Sequence, residues 1–218
     1  MTEIKRKFKA ALFDLDGVIV DTAKYHYLAW KKLASILNIE FTLENNERLK
    51  GVSRMRSLDI LLELGNINFS EEQKIKMADQ KNNWYVGYIS EMNDFEILPG
   101  AKECLTALKE NGTKIALGSA SKNALMILEK LKIISFFDSI IDGNKVSKAK
   151  PDPEVFLLGA GELGVKPEEC VVFEDAEAGI QAAKLANMYA VGIGDFNMLK
   201  EADTIITGLD KFDIYSLF

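Results

Sequence analysis

Apolar residues in this chain follow two periods, and the two occupy different stretches. Residues 8–13 (Phe-Lys-Ala-Ala-Leu-Phe) are almost continuously apolar, as in a strand buried on both faces, and the run stops at Asp14. From Asp21 the period becomes helical, with Tyr25, Leu28, Leu33, Ile36 and Leu37 on one face. Residues 54–64 repeat that pattern behind Ser53, a natural N-cap. Ser70-Glu71-Glu72-Gln73 has the form of a capping box and opens a long helix toward Glu91. No strand is expected between Asp21 and Asn93.

After that the two periods alternate. Pro99-Gly100 starts a helix that Gly112 stops, and residues 114–117 form a strand. The pattern then predicts a helix over 122–131, a short strand over 138–141, a turn at Gly143-Asn144 and a helix over 154–163 closed by Gly164. A strand over 170–173, a helix over 179–186, a strand over 189–193 and an edge strand over 204–206 complete it. Such alternation with continuous apolar strands predicts an α/β fold, a Rossmann-like doubly wound parallel sheet. Because the first strand belongs to this sheet, the helical block is an insertion. The expected domains are an α/β core of residues 1–20 and 95–218 and an all-helical cap of residues 21–94. The chain has neither internal repeats nor low-complexity segments.

Composition narrows the class. Of 218 residues 48% are hydrophobic, which suits an ordinary globular protein, and no apolar run approaches membrane-spanning length. A formal net charge of -6 does not suit nucleic-acid binding, although it leaves room for a small basic pocket. The 2 cysteines, Cys104 and Cys170, sit inside apolar patterns, as expected of core thiols in a reducing compartment. The first nine residues are polar and basic, with Lys5-Arg6-Lys7 read as surface and nothing like a secretory signal. A cytoplasmic monomer without nucleic-acid or membrane partners is the expectation.

In a parallel sheet the ligand crevice lies outside the carboxyl ends of the strands, so the polar residues there carry the chemistry. Strand one ends in Asp14-Leu15-Asp16-Gly17. Residues two apart on an extended segment point the same way, and Gly17 permits a sharp turn after them. The second strand ends in Gly118-Ser119-Ala120-Ser121-Lys122-Asn123 and runs toward a helix, a combination suited to phosphate. Lys150-Pro151 follows the short third strand, and Glu174-Asp175 the next. Singly, each motif has an ordinary reading: a turn, a start of a loop, an acidic helix start. Together they bring hard oxygen ligands for Mg²⁺ and cationic or hydroxyl partners for phosphate to one crevice. A carboxylate can attack phosphorus there once its charge is screened.

Phe13-Asp14-Leu15-Asp16-Gly17-Val18, Ser119, Lys150-Pro151 and Glu174-Asp175 resemble the four motifs of the haloacid-dehalogenase-like superfamily over nearly the whole chain. The resemblance implies that Asp14 is the phosphorylated nucleophile and Asp16 the general acid/base. It implies that Mg²⁺ is held by Asp14, the backbone carbonyl of Asp16 and Asp175, with Glu174 at or near the metal. Ser119 and Lys150 would bind the transferring phosphate. Cap and loop residues look like those of the β-phosphoglucomutase family within it: Asp21-Thr22, Tyr25-His26, Trp30, Leu49-Lys50-Gly51-Val52-Ser53-Arg54, Ser57, Lys81-Asn82 and Ser119-Ala120-Ser121-Lys122-Asn123. One departure is Ala176, where that family typically has serine.

The resemblance implies interconversion of β-glucose 1-phosphate and glucose 6-phosphate, with β-glucose 1,6-bisphosphate as intermediate and activator and a cap that closes to exclude water. Thr22, His26, Trp30, Lys50, Gly51, Val52, Ser53, Arg54, Ser57, Lys81, Ala120, Ser121, Lys122 and Asn123 are the substrate-binding candidates. Arg54 with Ser121, Lys122 and Asn123 would take the phosphate that is not being transferred, because a guanidinium binds two phosphate oxygens at once. A sugar-phosphate phosphatase on the same fold is the first rival. A non-catalytic sugar-phosphate-binding protein is the second, and mere binding needs no nucleophile.

Overall fold

The computed structural model describes residues 8–49 and 52–218, so the expectations for Lys5-Arg6-Lys7, Lys50 and Gly51 lie outside the described residues. The chain divides into two compact units, Met1–Asp21 with Asn93–Phe218, and Thr22–Met92. In the first, six strands form one parallel sheet: β1 (Ala10–Phe13), β2 (Lys114–Gly118), β3 (Ser139–Ile141), β4 (Cys170–Glu174), β5 (Tyr189–Ile193) and β6 (Thr204–Ile206). Their order is β3-β2-β1-β4-β5-β6, so the winding reverses between β1 and β4. In doubly wound sheets that reversal opens the ligand crevice.

The apolar strands fill both faces. Leu12 and Val172 join Ala116 in a core closed by α7 (Glu154–Leu163) and α8 (Glu177–Leu185). The alternate residues Phe13 and Phe173 point the other way and stack at 4.6 Å, with Phe212 edge-on to Phe173. On β2 packs α5 (Ala101–Glu110), whose start is Gly100 at φ +82°, a conformation costly for other residues.

The second unit contains only helices among its described residues: α1 (Ala23–Ile36), α2 (Leu43–Glu47), α3 (Arg54–Gly65) and α4 (Glu71–Ser90). Ser53 caps α3, and the predicted Ser70–Gln73 capping box is formed in both directions. Trp30, Leu33, Leu58, Leu61 and Ala78 make this unit's own core. Spacing of apolar residues does not announce α2, because the residue it buries is Asn46, and a Thr42–Asn45 capping box starts it.

One expected helix is shorter than predicted. Residues 122 and 123 stay outside α6 (Ala124–Lys130) because side chains capture their backbone. Ser119 Oγ accepts the N–H of Ser121, and Ser121 Oγ accepts that of Asn123, which holds 119–123 in tight turns.

Two substitutions test this packing in opposite directions. Leu12 is fully buried, so Leu12→Ala should lower unfolding stability by about 2–5 kcal/mol. An added Cβ at Gly161, inside α7, meets nothing within 4 Å, so Gly161→Ala should raise stability by about 0.5–1 kcal/mol. Urea denaturation of the two variants checks both signs.

Candidate active site

Register builds the crevice. Phe13 on β1 pairs with Leu117 on one side and Phe173 on the other, and the Asp14 N–H donates to Phe173 O at 3.0 Å. The next positions, Asp14, Gly118 and Glu174, therefore meet at the carboxyl ends of β1, β2 and β4. Lys150, from the segment after β3, fills the space between them. Its Nζ lies 2.5 Å from Asp14 Oδ1 and 2.7 Å from Glu174 Oε2, and donates to Gly118 O at 3.0 Å. The ring of Phe156 lies 4.7 Å from the same nitrogen. Burial works to lower the Lys150 pKa, but the charges of Asp14 and Glu174 outweigh it and hold the group well above its ordinary value.

The carboxylates outnumber the lysine. Asp14, Glu174 and Asp175 bring oxygens within 4.8 Å of one another. Burial, followed by the charge of Asp14, pushes the Glu174 carboxyl up, and the same causes with Asp16 push up that of Asp175. Three acidic groups against one ammonium leave an acidic excess. That excess and the hard oxygen donors fit a divalent ion such as Mg²⁺. Two glycines make the packing possible. A Cβ on Gly17 would lie 2.0 Å from Asp175 Oδ2, and one on Gly179 would lie 2.0 Å from the Glu174 carboxyl carbon.

The other predicted core residues lie at the same edge of the sheet. Asp16 is half-buried just after β1, within reach of the Asp175 charge. Ser119 is buried and follows Gly118, with its N–H on Ile141 O. Ala120 and Lys122 are exposed, and Ser121 and Asn123 are half-buried. The stretch 121–123 is a braced turn rather than the helix start expected there, since Gly143 N–H donates to Ser121 O and Asn144 Nδ2 to Lys122 O.

The helical unit holds a cluster of its own. Lys81, a substrate-binding candidate, is buried, with Nζ 2.7 Å from His26 Nδ1 and 4.7 and 5.0 Å from the ring centres of Trp30 and Tyr85. Burial and then the Arg54 charge bring the Lys81 pKa down to about 7. Burial, Lys81 and Arg54 together hold His26 well below the ordinary imidazole value. Tyr85 stacks on His26 at 4.0 Å and donates to Thr22 Oγ1 at 3.2 Å. Arg54 is half-buried, 3.8 Å from Asp79, and Ser57 is buried behind it, while Ser53 and Val52 are exposed. The site residues missed in the sequence are Gly179, Phe156 and Tyr85. Only Tyr85 left a signal, four residues from Lys81 on one helix face.

A doubly wound sheet with a carboxylate nucleophile candidate, a buried lysine and an acidic cation cradle at its switch point defines a class of phosphate- or halide-displacing enzymes. The sequence pattern of the haloacid dehalogenase-like hydrolases matches residues 8–187, and the chain belongs to that family. Membership implies use of Mg²⁺. The chain is 44% identical to the β-phosphoglucomutase of Bacillus subtilis over 200 residues, 91% of this chain and 88% of that one. It is 33% identical to the phosphorylated carbohydrates phosphatase of Thermotoga maritima, across 90% of this chain and 92% of that one. The crystal structure of β-phosphoglucomutase from Clostridium difficile superposes with a TM-score of 0.90 at 47% identity, covering 96% of this chain and 95% of that one.

Gly179 supplies a direct test of the cradle. Gly179→Ala must displace Glu174, so Mg²⁺ affinity should fall roughly 10–100-fold, as when an outer-shell partner of a metal site is lost. Calorimetric titration of Mg²⁺ into this variant and into Gly161→Ala, which should bind normally, checks it.

Proposed function

We propose that the protein is a phosphomutase that interconverts β-D-glucose 1-phosphate and D-glucose 6-phosphate through a phosphoryl group carried on Asp14. The observation that carries this reading is the position of Asp14 at the sheet's switch point with its carboxylate against the Lys150 ammonium. The choice of a mutase is supported by greater likeness to a β-phosphoglucomutase than to a carbohydrate phosphatase, 44% against 33%.

Asp14 attacks phosphorus while its second neighbour, Asp16, protonates the leaving sugar oxygen. In the return step Asp16 takes the proton from the attacking sugar hydroxyl. Lys150 and Ser119 bind the oxygens of the transferring phosphate. Mg²⁺, when bound, screens the charge between carboxylate and phosphate. Asp14, the Asp16 carbonyl and Asp175 are its proposed ligands. Glu174 has both oxygens engaged, one by Lys150 and the other by the Ala176 N–H at 3.2 Å, so its proposed part is to hold Lys150 beside the metal. β-Glucose 1,6-bisphosphate is the proposed intermediate and activator. Arg54 and the 121–123 turn are proposed to bind the phosphate not in transfer. Thr22, His26, Trp30, Lys50, Gly51, Val52, Ser53, Ser57, Lys81 and Ala120 are proposed to contact or position the sugar. A cytoplasmic, reducing setting is supported by two buried free thiols, whose pKa values burial pushes up to about 12.

The deciding experiment incubates the protein with β-glucose 1-phosphate, Mg²⁺ and a trace of bisphosphate. Glucose 6-phosphate should appear faster than free phosphate; the reverse establishes the phosphatase. Asp14→Asn should lose nearly all turnover with its fold intact. Asp16→Asn should bind Mg²⁺ normally and lose ~10²–10⁴ in rate. Arg54→Ala should impair transfer to glucose phosphates far more than hydrolysis of acetyl phosphate. Parallel losses of the two activities would remove Arg54 from the second phosphate site.

A further inference from the structure

Lys150 is delivered by an irregular segment, residues 142–153, that belongs to no strand or helix. Its fixed point is Glu154, the first residue of α7. Glu154 Oε2 accepts the backbone N–H of Ser147 at 2.9 Å and that of Lys148 at 2.7 Å. Ser147 Oγ donates to the same carboxylate, 3.0 and 3.1 Å from its two oxygens. Beyond Lys150 the chain is fastened to the same helical turn: Asp152 N–H donates to Ala149 O, and Asp152 Oδ1 accepts the N–H of Glu154. The helix itself is anchored through buried Phe156, whose ring supports Lys150 Nζ.

We propose that Glu154 is a positioning residue for phosphoryl transfer, holding Ser147 and Lys148 so that the Lys150 ammonium sits between Asp14 and Glu174. This rests on the reading that Asp14 takes up the phosphoryl group. Misplacement of Lys150 by a fraction of an ångström weakens its contact with the carboxylates and with the phosphate oxygens together. The requirement on residue 154 is for acceptor geometry, not charge. A glutamine can place its carbonyl oxygen where Oε2 receives both amides and turn its NH₂ to Ser147 Oγ, which accepts. Alanine offers no acceptor. Glu162, two turns later on the same helix, is the natural contrast. It pairs with Ser139 Oγ at 2.6 Å and Lys145 Nζ at 3.0 Å, both side chains, and receives no backbone N–H of the segment.

The test uses the full chain with Mg²⁺ and radiolabelled acetyl phosphate. In this reaction the bond from Asp14 Oδ to phosphorus forms as the bond from phosphorus to the acetate oxygen breaks, and acetate leaves. Glu154→Ala should slow labelling of Asp14 about tenfold or more, since small displacements of catalytic groups cost up to 10²-fold. Backbone hydrogen exchange at Ser147 and Lys148 should accelerate in the same variant. Glu154→Gln should recover most of the rate and the protection. Glu162→Ala should label at the wild-type rate, and thermal melts of all three report any loss of fold. Wild-type labelling in Glu154→Ala, an equal loss in Glu154→Gln, or an equal loss in Glu162→Ala would overturn the proposal. A wild-type protein that takes up no label overturns the Asp14 reading, and the role of Glu154 falls with it.

Discussion

A lysine ammonium buried away from water costs several kcal/mol unless opposite charge surrounds it. The core unit is organised around meeting that cost for Lys150. Its Nζ is met by a carboxylate after β1, the last carbonyl of β2 and the last carboxylate of β4, while its own backbone follows β3. Three strand ends thus converge on one nitrogen, which the segment after β3 carries to them. A parallel sheet presents its carboxyl ends on one edge, and the order β3-β2-β1-β4-β5-β6 puts β1 between the other two contributors. Taking away either carboxylate leaves Lys150 paired with the other and lessens the acidic excess around it. The ion pairs that hold the strand ends together are thereby also the ones that fix the Asp14 carboxylate.

The balance of charge in the two units runs in opposite directions. In the crevice, acidic groups exceed the lysine, and their repulsion adds to burial in raising Glu174 and Asp175. In the helical unit, Lys81, His26 and Arg54 crowd together, and burial with mutual repulsion lowers Lys81 and His26. Each arrangement is costly by itself, and each cost falls when a counter-charge arrives: a divalent cation in the first case, an anion in the second. Groups held out of their ordinary ionisation by burial and by neighbouring charge cluster at functional sites. Trp30 and Tyr85 reinforce this in the helical unit, because their ring faces stabilise a cation that no carboxylate among the described residues neutralises directly.

Much of this was legible in the sequence, for a specific reason. Doubly wound sheets need continuous apolar strands and bury them between helices, so runs such as 8–13 and 170–173 declare themselves, and the polar residue that ends each run marks the crevice. Asp14, Ser119 and Glu174-Asp175 were found that way, and Lys150 by joining them in a known set of motifs. Periodicity could not reveal contacts that depend on register and close approach. The clearance that Gly179 leaves for Glu174 is a property of α8 lying against β4, which spacing along one segment does not encode. Residues 122 and 123 were expected to begin the helix that becomes α6, yet two serine hydroxyls capture the backbone of 121 and 123 first. Lys81 was a candidate only through the resemblance, because its burial among two aromatic rings and a histidine depends on how α1 and α4 face each other.

Ala176 illustrates how a departure from a family pattern can leave the neighbouring charged contacts in place. It sits at the N-cap of α8 with extended backbone and no side-chain cap, where a serine hydroxyl would accept an amide of the first turn. The missing hydroxyl costs helix stability, of the order of 0.5–2 kcal/mol for such a cap. It does not release Glu174. The group that fixes Glu174 Oε1 is the backbone N–H of Ala176, which any residue but proline supplies, and Oε2 is fixed by Lys150. Gly179 N–H and Ile180 N–H still close the first turn on Ala176 O, so the helix starts at the same place. Replacing serine by alanine at this position therefore lowers the stability of α8 while the charged groups around Lys150 keep their geometry.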